Sequence, residues 1–586
     1  NYPSLRVSMT SSPMILLLCL IATAAAGRPW MFFGRPKGGL VNGPFHLSQA
    51  DAVKLSEGQT LNNFSQRFDH FDQLDTKKWI QRYYYNARFA NRDLSSGQDI
   101  IFLMIGGEGK EPPKWSGDEN MQIMQFAKLF GATVFDLEHR FFGPSRPINN
   151  LKTESLRLLT MEQALADLAY FITSMNKEHN YNNPKWITFG GSYPGALSAM
   201  FRSRYPELTA GAVASSAPIN FKLDFYEYAD VVQSVLSQTP IANDDNVACD
   251  ELVRRAISQM QGLSMTREGR NKLNDQMHLD PAFDEYTDKK DINNFFGNVY
   301  NIFQGMIQYT YDGRNEVSKQ YSTARQACDI MNKKGDLIDN VWELAKFEAD
   351  KVNGDPIVSF SNNYTADMES LKETDYDILG EGAASYKGWY WLLCNEMGYM
   401  QTTDGDSIFG STIPINLFYD MCMDMFGPEI NAPYTRDANR ATNDAWNGVD
   451  DFDATNLCLP NGKFDPWSAL GYYGEDKKRN ILPVVIEGAA HCSDMYPEYD
   501  GEPAALPAAR QKIRDFLSGL IYDANHPQPH LTSSSEAPTD QTDQPDDSSS
   551  PSPPTSTTVI STTSSSATPF SFAILLASSV LGYALM

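Results

Sequence analysis

The chain has 586 residues, 42% of them hydrophobic, and a formal charge of −25 from 73 acidic and 48 basic side chains. It is long enough for a large core and too long for one simple domain. The acidic balance argues against nucleic acid as a partner, since Lys and Arg carry phosphate affinity. There is no CxxC pair or Cys/His cluster, so no metal and no cofactor are expected.

In chain order, the first feature is a short apolar run, Met14 to Ile21, followed by Ala24-Ala25-Ala26-Gly27. The run is too short to span a bilayer, and the small residues suit signal peptidase, so residues 1–26 read as a signal peptide. Residues 27–55 read as an extension or propeptide. From 56 to 220, short apolar runs end in turns. Ile100 to Ile105 meets Gly106-Gly107-Glu108-Gly109, and Ala132 to Phe135 meets Glu138-His139-Arg140. Trp186 to Phe189 meets Gly190-Gly191-Ser192, and Ala212 to Ala214 meets Ser215-Ser216. Runs of this length with polar flanks are strands buried on both faces. A helical pattern from Met161 to Met175 lies between them, and alternation of this kind implies a parallel sheet.

Residues 221–430 change texture. Helical patterns such as Cys249 to Met260 and Asn294 to Ile307 dominate, which predicts a mostly helical domain inserted into the sheet domain. The sheet pattern resumes in 431–523, with Leu457 to Pro460 and Leu482 to Ile486. Residues 524–569 are rich in Ser, Thr, Pro, Gln and Asp and read as a stalk that cannot bury a core. The apolar tail 570–586 reads as a glycosylphosphatidylinositol anchor signal, with a marginal transmembrane helix as its alternative.

The sharpest motif is Trp186-Ile-Thr-Phe-Gly-Gly-Ser-Tyr-Pro-Gly-Ala-Leu197. A buried strand, a cramped turn of small residues, a serine and then a helix form the context of a nucleophile elbow. The usual G-x-S-x-G is altered, with Pro194 in the second glycine's place. The free N–H groups at the helix start would face a developing oxyanion, and the backbone N–H groups of Tyr193 and Gly107 are the candidates. In this fold the acid and the base follow the serine in the chain. His278, His491, His526 and His530 come after Ser192, and His491 is the one that follows a buried strand and a small-residue turn. Asp465, after the strand-like Leu457 to Pro460, is the candidate acid. Ser192, Asp465 and His491 thus read as a catalytic triad.

The sequence also resembles the serine peptidases that include lysosomal Pro-X carboxypeptidase, dipeptidyl peptidase II and the thymus-specific serine peptidase. The likeness runs from about Phe64 to about Leu520. It rests on Phe64-Ser-Gln-Arg-Phe-Asp-His-Phe71, Gly106-Gly-Glu-Gly109, Glu138-His-Arg-Phe-Phe-Gly143, Thr160-Met-Glu-Gln-Ala-Leu-Ala-Asp167, Gly190-Gly-Ser-Tyr-Pro-Gly195, Asn461-Gly-Lys-Phe-Asp-Pro-Trp467 and Ala490-His-Cys-Ser-Asp494. The resemblance implies an α/β-hydrolase fold with a large, mostly helical insertion (cap) domain. It also implies a triad at the same three positions and cleavage of peptides near one chain end, often after proline. Two departures stand out: the family commonly has G-N-E-G at 106–109 and Gly or Ala at Pro194. A proline in the first helical turn is tolerated. Trp467 and Glu108 are candidates for the substrate pocket, Trp467 because a flat apolar ring suits proline.

Six cysteines remain once Cys19 leaves with the signal peptide, which predicts three disulfides. Cys249–Cys328 and Cys394–Cys422 fall within or at the end of the insertion. Cys458 and Cys492 lie on the loops of the acid and the base, which the triad brings together, and form the third expected pair. Asn63-Phe-Ser65 and Asn363-Tyr-Thr365 are N-glycosylation sequons. The expected location is the secretory pathway and the cell surface or extracellular space, with the lysosome as an alternative, and peptides are the expected partners. A homodimer is left open. Two other readings compete: a catalytically silent, membrane-tethered adhesion or receptor protein, and an esterase. Retention of all three triad residues argues against the first, and the absence of an HGGG-type loop against the second.

Overall fold

A computed structural model of the chain describes residues 31–32, 35–36, 55–91, 97–241, 247–314, 319–320, 323–352 and 354–522. The expected signal peptide, stalk and anchor signal lie outside the described residues. Of the expected extension, a two-residue antiparallel pairing of Met31 with Pro36 and Phe32 with Arg35 is described.

Eight strands build the central sheet: β1 (Gln59–Arg67), β2 (Lys78–Asn86), β3 (Ile100–Ile105), β4 (Thr133–Leu137), β5 (Lys185–Gly191), β6 (Gly211–Ser215), β7 (Leu457–Gly462) and β8 (Ile481–Ile486). Their order is β8-β7-β6-β5-β3-β4-β2-β1. Strands β3 to β8 are parallel, and β2 runs antiparallel to both neighbours. This is an α/β-hydrolase sheet. Its inner strands read as continuous apolar runs because both faces are covered. Ile101, Leu103 and Ile105 face one layer, while Ile100, Phe102 and Met104 face the other, as the period of two requires. Helices α1 (Gln122–Phe130) and α4 (Leu506–Ile521) cover one face, and α2 (Met161–Glu178) and α3 (Tyr193–Arg204) the other. α2 starts where Thr160 Oγ1 accepts from the Gln163 N–H at 3.2 Å. It buries Leu165, Leu168, Phe171, Ile172 and Met175 at helical spacing.

β1 and β2 are absent from the sequence expectations, for a physical reason. Gln66 occupies an inward position of β1 where an apolar residue would signal a strand. It is satisfied there by donating to Gln81 Oε1 at 2.9 Å and to the Asp167 carbonyl at 3.1 Å.

Between β6 and β7 the chain leaves the sheet and forms the helical insertion. Among its helices are Glu227–Gln238, Cys249–Ser264, Lys289–Gln308, Tyr376–Leu392, Ile415–Phe426 and Ala432–Ala445. The sheet resumes at Leu457, later than the boundary expected at 430. Helix Ala432–Ala445 is tied to the insertion side, with Asn439 Nδ2 donating to the carbonyls of Phe221 at 2.9 Å and Glu396 at 3.2 Å. Disulfides join Cys249 to Cys328 and Cys394 to Cys422, with Cα separations of 5.5 and 5.9 Å.

The third expected pair corrects the sequence reading: Cys458 and Cys492 are both buried free thiols. The two loops do meet, but Cys458 is not on its loop. It sits at the start of β7, level with Val213 of β6. Four residues of extended chain, about 13 Å, separate it from Gly462 at the sheet's carboxyl edge. Cys492 is held at that edge, where its Sγ lies 2.9 Å from the position a Cβ on Gly191 would take.

Candidate active site

The carboxyl edge of the sheet brings Ser192, Asp465 and His491 together from three separate connections. Ser192 caps α3 with φ 62° and ψ −129°, a backbone conformation that L-residues avoid. The turn is held by the Ser192 N–H donating to the Ser215 carbonyl at 2.9 Å. Gly190 is required by close approach, since a Cβ there would lie 2.1 Å from the Pro194 carbonyl oxygen. Pro194 stands in the first turn of α3, where its missing N–H costs no helical bond. Asp465 and His491 follow β7 and β8, which pair in parallel register up to Gly462 opposite Ile486.

His491 Nδ1 and Asp465 Oδ2 are 2.8 Å apart. A carboxylate accepts, so Nδ1 carries the hydrogen and Nε2 keeps its lone pair. The other Asp465 oxygen accepts from the Trp467 N–H at 2.9 Å. Ser192, Asp465 and His491 are all fully buried. Ser192 Oγ and His491 Nε2 are the two atoms of this group without a hydrogen-bond partner. Hydrogen bonds of this kind are often long without substrate and tighten around it.

The two oxyanion candidates converge on the same turn. Tyr193 begins α3, and Gly107, just after β3, lies against Pro194, whose Cγ would be 2.6 Å from a Cβ on that glycine. The Gly107 loop is pinned from below by a buried ion pair of Arg82 with Glu138. The Glu111 N–H donates to Glu138 Oε1 at 3.0 Å, and Arg82 Nη2 donates to the Glu111 carbonyl at 3.0 Å. Burial pushes the Glu138 carboxyl up, against the pull of Arg82. The Tyr193 hydroxyl meets His139 Nε2 at 3.1 Å, and burial pushes the His139 imidazole down to about 4, so it is neutral there.

The pocket candidates are placed less simply. Glu108 is buried in the loop after Gly107. Trp467 is also buried, and its indole N–H donates to Gln308 Oε1 at 3.0 Å. Its ring packs near Phe225 and Tyr399, with centroids 5.5 Å away in both cases, and lies 6.3 Å from the His491 ring. It is at once a core side chain and a neighbour of the base. Asp494, three residues after His491, accepts from Ser215 Oγ at 2.6 Å, and burial pushes its carboxyl up to about 6. The insertion supplies Gln308 and Tyr309 beside His491. The sequence carries no local signal for either, since Gln308 meets Trp467 across 159 residues of chain.

Both sequons are within the described residues. Asn63 is exposed on edge strand β1, whereas Asn363 is half-buried and caps helix Tyr364–Lys372 by accepting from the Ala366 N–H at 2.9 Å. Among the described residues no group of three or more His, Cys, Asp or Glu side chains could hold a metal ion, and no helix is long and apolar enough to cross a membrane.

A family model described as serine carboxypeptidase S28 matches residues 66–513. A Caenorhabditis elegans protein named as a serine protease is 46% identical over 534 residues, covering 89% of this chain and 96% of its own. The mouse thymus-specific serine protease is 29% identical, covering 79% and 88%. The bovine lysosomal Pro-X carboxypeptidase is 25% identical, covering 87% and 97%.

Proposed function

Given that this chain belongs to the serine carboxypeptidase S28 family and is a serine peptidase, we propose that it cleaves small peptides at a chain end, beside proline, through a covalent ester on Ser192. The observation that carries this is the Asp465–His491 pair at 2.8 Å, with His491 Nε2 and Ser192 Oγ both buried and unpartnered at the same sheet edge. Ser192 Oγ attacks the scissile carbonyl carbon while its proton passes to His491 Nε2. Asp465 holds the imidazole tautomer and stabilises the imidazolium. The oxyanion is received by the N–H groups of Tyr193 and Gly107. His491 then gives its proton to the leaving amine, the C–N bond breaks, and an acyl ester of Ser192 remains. A water molecule, deprotonated by His491, attacks that ester; the product acid leaves, and Ser192 recovers its proton.

Full enclosure of the three residues beneath the insertion supports a small substrate that presents an end rather than a long folded chain. The rings of Trp467 and Tyr309 beside His491 supply an apolar wall suited to a proline side chain, which offers no donor. The bovine relative is named a Pro-X carboxypeptidase, and the same preference is proposed here. Cleavage of N-blocked and C-blocked proline peptides between pH 4 and 8 reads both direction and preference. We expect one blocked series to be hydrolysed and Ser192→Ala to abolish it. Hydrolysis that survives Ser192→Ala, or equal rates on proline-free peptides, would refute the respective half of the proposal. Secretion, a glycan on Asn63 and a C-terminal lipid anchor belong to the same reading. A phosphatidylinositol-specific phospholipase C should release the protein from cells, and release by detergent alone would reject the lipid anchor.

A further inference from the structure

We propose that Gln308, the last residue of the insertion helix Lys289–Gln308, is a positioning residue that holds the acid loop and the base loop in register; this rests on the triad reading above. Its carbonyl accepts from the His491 N–H at 3.0 Å. Its side-chain Oε1 accepts twice, from Trp467 Nε1 at 3.0 Å and from the Tyr228 hydroxyl at 2.6 Å. Its Nε2 donates to the Tyr309 hydroxyl at 2.6 Å. The indole N–H of Trp467 can only donate, so the amide oxygen must face it.

The consequence runs along two short paths. Trp467 donates its backbone N–H to Asp465 Oδ1, so fixing the indole fixes the residue that orients the acid. The carbonyl bond to His491 sets the height of the base loop directly. One residue, buried and borne by the insertion rather than the sheet domain, therefore touches both halves of the Asp465–His491 pair. A buried glutamine with satisfied bonds can be ordinary core. What sets Gln308 apart is that its bonds end on the two loops that must stay within hydrogen-bond reach. Small misplacement of a catalytic group is costly, on the order of 100-fold for about 1 Å.

Removing the side chain takes from the Trp467 indole N–H and the Tyr228 hydroxyl the acceptor they share. Glutamate in its place keeps an oxygen that accepts from Trp467 and Tyr228, and burial favours its neutral form, whose hydroxyl can donate to Tyr309 as the amide does.

The test uses the full-length protein, with fluorophosphonate labelling rate and peptide hydrolysis as readouts and thermal melting as the fold control. Gln308→Ala should lower kcat by about 100-fold with KM within a few-fold. Gln308→Glu, which preserves the donor and acceptors, should keep kcat within about tenfold of the parent. If Gln308→Ala does not fold, Gln308→Met, which keeps the side-chain length and removes the bonds, takes its place with the same expected loss. A kcat within twofold of the parent in Gln308→Ala, or a kcat in Gln308→Glu no higher than in Gln308→Ala, would overturn the positioning role while leaving Ser192 as nucleophile. Undiminished labelling in Ser192→Ala would overturn the triad reading and this inference with it.

Discussion

Asp465 is useful to His491 only if it is correctly aimed, and the backbone aims it. The Trp467 N–H takes one carboxylate oxygen and leaves the other for Nδ1. Asp465→Asn should keep the fold and lower kcat by about 10⁴-fold, because an amide can hold the wrong tautomer; a loss below about tenfold, measured on hydrolysis at neutral pH, would contradict the assigned role. Burial pushes the Asp494 carboxyl up to about 6 from an ordinary 3.8. The folded state therefore keeps this proton where the unfolded chain has lost it, and stability falls as pH rises between those values. Asp494→Asn, which can still accept from Ser215, should raise stability at pH 8 by on the order of 2 kcal/mol and change it little at pH 4. Equal effects at both pH values would rule this out. The three residues that meet at the sheet edge were readable in the sequence because each follows a buried strand in a fixed chain order. Asp494 could be quoted as part of a motif, but its burial and its bond to Ser215 come from packing across 279 residues of chain.

At the level of elements, apolar runs marked β3 to β8 well because both faces of those strands are covered. β1 and β2 stayed hidden where polar side chains such as Gln66 and Gln81 pair inside. Loop proximity alone was a poor guide to the cysteines. Cys458 lies within a strand rather than on the acid loop, so nearness of the loops did not carry over to nearness of sulfurs. Alkylation of the unfolded, unreduced protein should modify Cys458 and Cys492 and leave Cys249, Cys328, Cys394 and Cys422 unmodified. A peptide joining Cys458 to Cys492 would refute the free-thiol assignment. The Cys394–Cys422 bridge closes 28 residues of the insertion, and Cys394→Ala with Cys422→Ala should cost about 3–4 kcal/mol of stability in the chain-entropy view. A melting temperature unchanged by that double substitution would count against the bridge.

For the whole molecule, burial pushes several carboxyls upward together: Glu111, Asp136, Glu138, Glu348, Glu396 (to about 8) and Asp494. Each holds its proton longer when folded, so each adds stability that is lost as pH rises through its shifted value. The net charge of −25 acts in the same direction, since self-repulsion eases on acidification. The His139 imidazole, pushed down to about 4, and the Lys114 and Lys387 ammonium groups, pushed down to about 7 and about 8, act the other way, but the carboxyls outnumber them, so the melting temperature should be higher at pH 5.5 than at pH 8; the reverse order would contradict this. The triad reading requires the sheet edge and the insertion together to enclose a working serine nucleophile. Mass mapping after reaction with a fluorophosphonate tests it most directly. One adduct per chain is expected, on Ser192, with hydrolysis lost in step with labelling. An adduct on another serine, or full hydrolysis with Ser192 labelled, would contradict it.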